Sequence, residues 1–392
     1  MKVVNSTVII LSAVSLFTDM ASEMLYPIMP LYLKSIGFSI VLIGLLEGLV
    51  EAIAGFSKGY FGKLSDATGK RLPFVQLGYS LSAIAKPLLA LFVAPAWVFA
   101  VRSVERLGKG IRTGARDALL ADQATVHTKA TVFGFHKSMD TVGAVLGPLL
   151  ALWYLHQHPN DYKMLFLIAF APGLLAISAS FLLKEKNKVD LKIGKKINFF
   201  DFIKYYKQAP IAYKKLVQGL LIFALFNSAD VFLLLKAAEA GLSDTGVIMM
   251  YIFYNLVYAI FAFPLGIVAD KIGLPKIFII GIAIFVLVYA GFAFAISITH
   301  FAILFLLYGL FAAATDGISK AWITNISDNK DTATAIGTYT AFQSIAALFA
   351  SSFAGFMWFQ FGSSATFIIS AVMGIVVLLY FIIYLAPFSN KN

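Results

Sequence analysis

Apolar residues run along this chain in long blocks of about 20–28, separated by short polar turns. A helix of that length crosses a hydrocarbon core of about 30 Å, so each block predicts one membrane span. The blocks lie near residues 6–33, 39–61, 72–93, 96–118, 130–154, 163–183, 216–235, 243–269, 275–297, 300–325, 332–359 and 364–386. The pattern therefore predicts an all-α membrane protein with twelve transmembrane helices. No stretch alternates apolar and polar residues over ten positions, which excludes a transmembrane β-barrel. The first block is too long for the apolar core of a signal peptide and carries Asp19 and Glu23, so it reads as a retained span.

Composition agrees with this reading. The chain is 60% apolar and only 13% charged, about half the charge a soluble surface needs. It has no cysteine, which rules out disulfides, iron–sulfur clusters and thiolate metal sites. The net charge of +11 has a positional cause. Alternate loops collect Lys63, Lys70, Arg71, Arg116, Lys129, Lys271 and Lys276 on one side, together with a linker over 184–215. That linker holds ten lysines against Glu185, Asp190 and Asp201, whereas the opposite side has Lys34, Lys163, Lys236 and little else. Positive residues stay inside, so both termini and the linker are expected to be cytoplasmic and no nucleic-acid partner is expected. Within the linker, aromatic residues beside lysines over 198–206 fit either a helix lying on the membrane surface or a plain solvated connector.

The linker separates six spans from six, and the two halves repeat. Gly62-Lys-Leu-Ser-Asp66-Ala-Thr-Gly69-Lys70-Arg71 follows the second span, and Gly266-Ile-Val-Ala-Asp270-Lys271-Ile-Gly273 follows the eighth, 204 residues later. Thr131-Val-Phe-Gly134 in the fifth span returns as Thr334-Ala-Ile-Gly337 in the eleventh, at an offset of 203. Two matches at nearly one offset identify a duplicated six-span unit: a bundle over 1–183, the linker 184–215, and a second bundle over 216–392.

The G-x-L-x-D-x-x-G-K-R loop, its weaker copy and the six-plus-six layout resemble the major facilitator superfamily along the whole chain. The resemblance implies that Gly62, Asp66, Gly69, Arg71, Gly266 and Asp270 form gating loops, with Asp66 meeting the start of the eleventh helix near Thr332. Gly134, Gly143, Gly147 and Pro148 match the fifth-span signature of the family's antiporters and exporters, although Ala151 and Leu152 replace its closing glycines. Arg106 matches a family arginine associated with proton coupling, with Lys109 where a glutamine is usual. These matches point to the proton-antiporter branch that exports drugs or metabolites.

The residues themselves supply the chemistry. The first half places Asp19, Glu23, Glu47, Glu51, Lys86, Arg102, Glu105, Arg106, Lys109, Lys137 and Asp140 within predicted spans. Each unpaired charge at a helix centre costs about 3 kcal/mol, so they must pair or face water. Asp19 and Glu23 lie one turn apart, as do Glu47 and Glu51. Arg102, Glu105, Arg106, Lys109, Arg112 and Arg116 share one face of the fourth span. A polar cavity lined by spans 1, 2, 4 and 5 follows, with His136 and Lys137 one turn from Asp140. The expected proton carriers are Asp19 or Glu23, tuned by Arg106 and Lys109. The second half offers Asn227, Asp230, Tyr251, Asn255, Asp316, Lys320 and Gln343, groups suited to a partly apolar organic ligand.

Gly55-Phe-Ser57-Lys-Gly59 fits a hydrolase nucleophile elbow, but it lies inside an apolar helix and lacks the preceding strand. No glycine-rich loop has the spacing of a nucleotide-binding P-loop. The expectation is therefore a monomeric multi-pass transporter of a bacterial inner membrane, with neither cofactor nor enzymatic activity, exporting a small organic molecule against protons. Proton-coupled uptake of a metabolite or siderophore-like anion is the alternative.

Overall fold

The computed structural model describes residues 3–185 and 198–384. Most of the lysine-rich linker, together with the extreme termini, lies outside the described residues, as does the side chain of Glu47.

Among the described residues every regular element is a helix. The first half holds α1 (Ser6–Glu23), α2 (Met29–Ser35), α3 (Ile40–Thr68), α4 (Leu72–Leu88), α5 (Pro95–Asp122), α6 (Lys129–Gln157) and α7 (Tyr162–Ser180). A short α8 (Asp201–Gln208) follows in the linker. Then come α9 (Ile211–Ala224), α10 (Val231–Glu239), α11 (Asp244–Ile272), α12 (Leu274–Phe294), α13 (Ile298–Ile326) and α14 (Thr332–Tyr384). Their ends carry local signals. The side chains of Asn5, Ser39 and Asp161 accept the first free amides of α1, α3 and α7. Gly69 closes α3 at φ +65°, a conformation that costs glycine nothing. Among the described residues seven helices, α1, α6, α7 and α11 to α14, are long and apolar enough to cross a membrane. The charged stripe of α5 keeps that helix below the threshold.

Two of the predicted spans are interrupted. The first divides between α1 and α2 across residues 24–28, and the seventh between α9 and α10 across residues 225–230. The eleventh and twelfth run on as α14, which bends at Gly362 (φ +83°). The linker segment also differs from both expectations for it, because α8 packs on protein. Phe202 and Tyr205 are buried, and the Phe202 ring lies where a Cβ on Gly59 would be. The Thr338 hydroxyl donates to the Phe202 carbonyl at 3.2 Å.

The chain forms two compact units, neither of which is a simple sequence half. One comprises the chain up to Gln123, Met139–Gln208 and Ser327–Ser344; the other comprises Ala124–Ser138, Ala209–Ile326 and the chain from Ile345. In the first unit α5 packs against α3 and α4, and α7 against α1 and α4. In the second, α13 packs against α11 and α12. Each unit thus contains a short piece of the opposite half, and those pieces carry the helix starts that Asp66 and Asp270 meet.

Candidate functional site

The polar centre of the first unit is built on α5, whose charged stripe faces α1, α3 and α4. Glu105 is the hub of one cluster: Arg102 approaches it at 2.7 Å and Lys86 of α4 at 3.4 Å. Lys86 is 1% exposed and also donates to the Ser22 hydroxyl and the Ser82 carbonyl. One turn on, Arg106 lies 3.5 Å from Glu51 of α3, which Lys58 approaches at 3.9 Å. Lys109 interacts electrostatically with both Glu51 and Asp19. Arg112 bonds the Ser82 hydroxyl at 2.6 Å and lies 4.7 Å over the Tyr79 ring. Arg116 pairs with Asp117 at 2.8 Å. Asp140 of α6 accepts from Ser15 at 2.6 Å, within the electrostatic reach of Arg112 and Arg116.

Asp19 acts electrostatically on Lys109 and Arg112 of α5. Glu23 closes α1. Arg102 forms its short bond with Glu105 on its own helix. Gly143 and Gly147 of the fifth-span signature press α6 onto α1: added Cβ atoms would meet backbone atoms of Leu16, Met20 and Glu23. Those are the turns carrying Asp19 and Glu23. Pro148 lies within α6.

The gating loops form two matched interlocks. In the first unit Asp66 accepts from the Thr334 amide at 2.6 Å and the Thr334 hydroxyl at 2.8 Å, while Arg71 flanks it at 3.3 Å. A Cβ on Gly62 would strike the Ala333 carbonyl, and one on Gly337 the Lys58 carbonyl. In the second unit Asp270 accepts from the Ala130 and Thr131 amides at 3.0 and 2.7 Å. There a Cβ on Gly266 would strike the Ala130 carbonyl, and one on Gly134 the Ala262 carbonyl. Each aspartate therefore accepts the free amides at a helix start, where the macrodipole favours negative charge. Each also ties a helix of one sequence half to a helix of the other.

The second unit holds a smaller polar set among aromatic rings. Asp230 accepts from the Tyr254 hydroxyl at 2.5 Å and from the Tyr308 hydroxyl at 2.6 Å. Asn227 accepts from Tyr289, and the Asn255 amide donates to the Tyr251 carbonyl. Asp316 accepts from Tyr258 at 2.7 Å and lies 3.9 Å from Lys137, whose ammonium sits over the Tyr258 ring. Lys137 thus engages the second half as well as neighbouring Asp140 on α6. His136 is buried beside it, and Lys320 follows Asp316 by one turn on α13. Gln343 belongs to the first unit, next to Ser344, to which Lys58 donates. Tyr308 and Tyr289 were not distinguishable in the sequence from the many aromatic residues of membrane helices. Among the described residues no group of His, Asp and Glu could hold a metal ion.

A helical chain of apolar spans, with charged clusters inside them and interlocked gating loops, defines a membrane transporter. The sequence profile of the major facilitator superfamily matches residues 11–237 and 216–392, and the chain belongs to that family. It is 34% identical over 385 residues to an uncharacterised MFS-type transporter of Methanocaldococcus jannaschii, covering 95% of this chain and 93% of that one. It is 23% identical over 291 residues to the quinolone resistance protein NorA of Staphylococcus aureus, covering 66% of this chain and 72% of the relative. Among solved structures it is similar to the human organic anion transporter MFSD10 (TM-score 0.80, 15% identity, 96% and 98% of the chains covered). The Escherichia coli fucose:proton symporter superposes with a TM-score of 0.76 at 13% identity, with 98% of each chain covered. At such identities these two likenesses show the fold alone. The relatives are transporters rather than enzymes, and the chain is a multi-pass membrane transporter of small molecules.

Proposed function

We propose that this transporter exports a small organic molecule in exchange for protons by alternating access. In this reading twelve spans form two six-helix halves, 1–183 and 216–392, in a prokaryotic plasma membrane. Both termini and the linker 184–215 are cytoplasmic, and the protein works as a monomer. The observation that carries the proposal is the setting of the α1 acids. Asp19 lies within the electrostatic reach of Lys109 and Arg112, on the turns where Gly143 and Gly147 bring α6 against α1. A carboxylate beside a cation gives up its proton readily, and the same group takes one up when the cation withdraws. Asp19 or Glu23 carries the proton, and Arg106 and Lys109 set its release. The likeness to a quinolone resistance protein makes quinolones the first compounds to try.

Everted membrane vesicles with an acidified lumen test this. Adding a quinolone at the outer, formerly cytoplasmic, face should discharge the proton gradient in vesicles with the wild-type chain, and not in vesicles with Asp19→Asn and Glu23→Gln combined. No discharge by any of a panel of organic compounds would sink the export reading. Further acidification would instead favour proton-coupled uptake of an anion. That second reading draws on Arg112, which has no carboxylate within ion-pair distance among the described residues.

A further inference from the structure

The seventh predicted span is broken, and so is the first, at corresponding places in the repeat. Residues 225–230 separate α9 from α10, as residues 24–28 separate α1 from α2. Hydrocarbon cannot satisfy the backbone groups that such a break releases, so breaks persist where protein or a water-filled cavity meets them. Interrupted spans at matching positions of two repeats mark binding sites in transporters.

Asp230 stands at the end of the break in the seventh span, as the N-cap of α10. Each carboxylate oxygen receives one neutral donor, the Tyr254 hydroxyl at 2.5 Å and the Tyr308 hydroxyl at 2.6 Å. Elsewhere in the helices Glu51, Glu105, Asp117 and Asp316 each have a basic partner within 4.0 Å. Among the described residues no ion pair includes Asp230. Its carboxylate is met by these two hydroxyls.

The surroundings have the same electrostatic sign. The Tyr254 ring is met by Tyr251 at 5.4 Å, Tyr308 at 5.3 Å and Phe305 at 6.1 Å between centroids. Aromatic faces are electronegative and attract cations, most strongly where water is excluded. A carboxylate ringed by such faces repels anions. An inorganic ion such as Ca2+ or Mg2+ would need about six oxygen ligands, and rings cannot supply them. An organic cation gains from both the carboxylate and the ring faces.

We propose that Asp230, at the break in the seventh span, together with the rings of Tyr251, Tyr254 and Tyr308, binds an organic monocation. This names the substrate class and rests on the reading of the chain as a transporter of small organic molecules. Tetraphenylphosphonium and tetraphenylborate have the same shape and opposite charge, so a binding measurement on the purified full chain separates charge from size. The phosphonium should bind and the borate should not. Asp230→Asn should weaken phosphonium binding at least about tenfold, and Asp230→Glu should restore most of it. Both variants are compared with the wild type for elution volume and thermal unfolding, so that a misfolded protein is not mistaken for a lost site. The proposal is overturned by equal phosphonium affinity in a folded Asp230→Asn, by equal affinity for the borate, or by no phosphonium binding to the wild type. The vesicle assay is independent. Gradient discharge by neutral or anionic compounds alongside failed phosphonium binding removes the cation site and leaves export standing. Phosphonium binding without discharge by any compound does the reverse.

Discussion

Glu105, buried on α5, and Asp19, half-buried on α1, meet the same stripe of cations in different ways. Glu105 is held between Arg102 and Lys86, and its side chain is 11% exposed. Removing one member of a buried pair leaves an uncompensated charge and costs about 3–5 kcal/mol, a large part of the net stability of a typical domain. Glu105→Gln is therefore expected to reduce the yield of folded protein and lower the temperature at which it unfolds, measured by size-exclusion after heating. Asp19 is only half-buried, so Asp19→Asn should cost less stability than Glu105→Gln. It should lose accumulation against a gradient while keeping downhill exchange, because the amide mimics the protonated acid. If Asp19→Asn pumps normally, the coupling role moves to Glu23 or Glu51. The charged stripe on α5 was legible in the sequence because the 3.6-residue period puts Arg102, Arg106, Lys109 and Arg116 on one face. Which acid each one meets was not legible, since that depends on how neighbouring helices are rotated. Lys137 illustrates this: in sequence it stands one turn from Asp140, yet its ammonium also reaches Asp316, 179 residues away.

At the scale of the helices, glycine position decides what the packing tolerates. The small-residue spacing of α6 predicted a close helix approach, and α1 is the partner found at Gly143 and Gly147. Gly355 of α14 gives a control, because the nearest atom to an added Cβ there belongs to the Phe232 ring at 3.8 Å. Overpacking typically costs about 1–3 kcal/mol, and more where backbone rather than a movable side chain blocks the new atoms. Gly143→Leu should therefore lower the unfolding temperature clearly and Gly355→Leu little, as read by thermal unfolding in one detergent. Equal effects would mean that the α1–α6 seam can open to admit a side chain. The breaks in the first and seventh spans escaped the sequence reading for a related reason. Hydropathy summed over some 20 residues averages out a local interruption such as Asn227-Ser228-Ala229-Asp230. The turn at 227–230 also contains neither proline nor glycine, the usual punctuation of a helix break, whereas Pro27 marks the break in the first span.

For the whole molecule, duplication predicts two interlocks, and the differences between them predict unequal strength. Asp66 and Asp270 occupy equivalent positions, and Thr334 and Thr131 at the matching helix starts are likewise equivalent. Asp66 additionally faces Arg71 at 3.3 Å, and Arg71 lies 3.7 Å from Asp122. In the second copy Leu274 and Pro275 stand where Lys70 and Arg71 stand in the first, so that network is absent. The Asp66 side chain is also 4% exposed, deep enough for its charge-assisted bonds to be little screened. Such bonds contribute about 1.5–3 kcal/mol each, so neutralising Asp66 should shift the interlock equilibrium by a factor of about ten or more. Asp270→Asn, with two amide donors and no arginine to lose, should shift it less. The double variant should show nearly the product of the two effects if the interlocks are independent. Initial transport rates of the two single variants and the double variant, normalised to folded protein, measure this. A transport rate for Asp66→Asn equal to that of the wild type would reduce its carboxylate to a topological charge. A double variant no worse than Asp66→Asn alone would mean that the first interlock controls the cycle and that the second copy has lost its gating role.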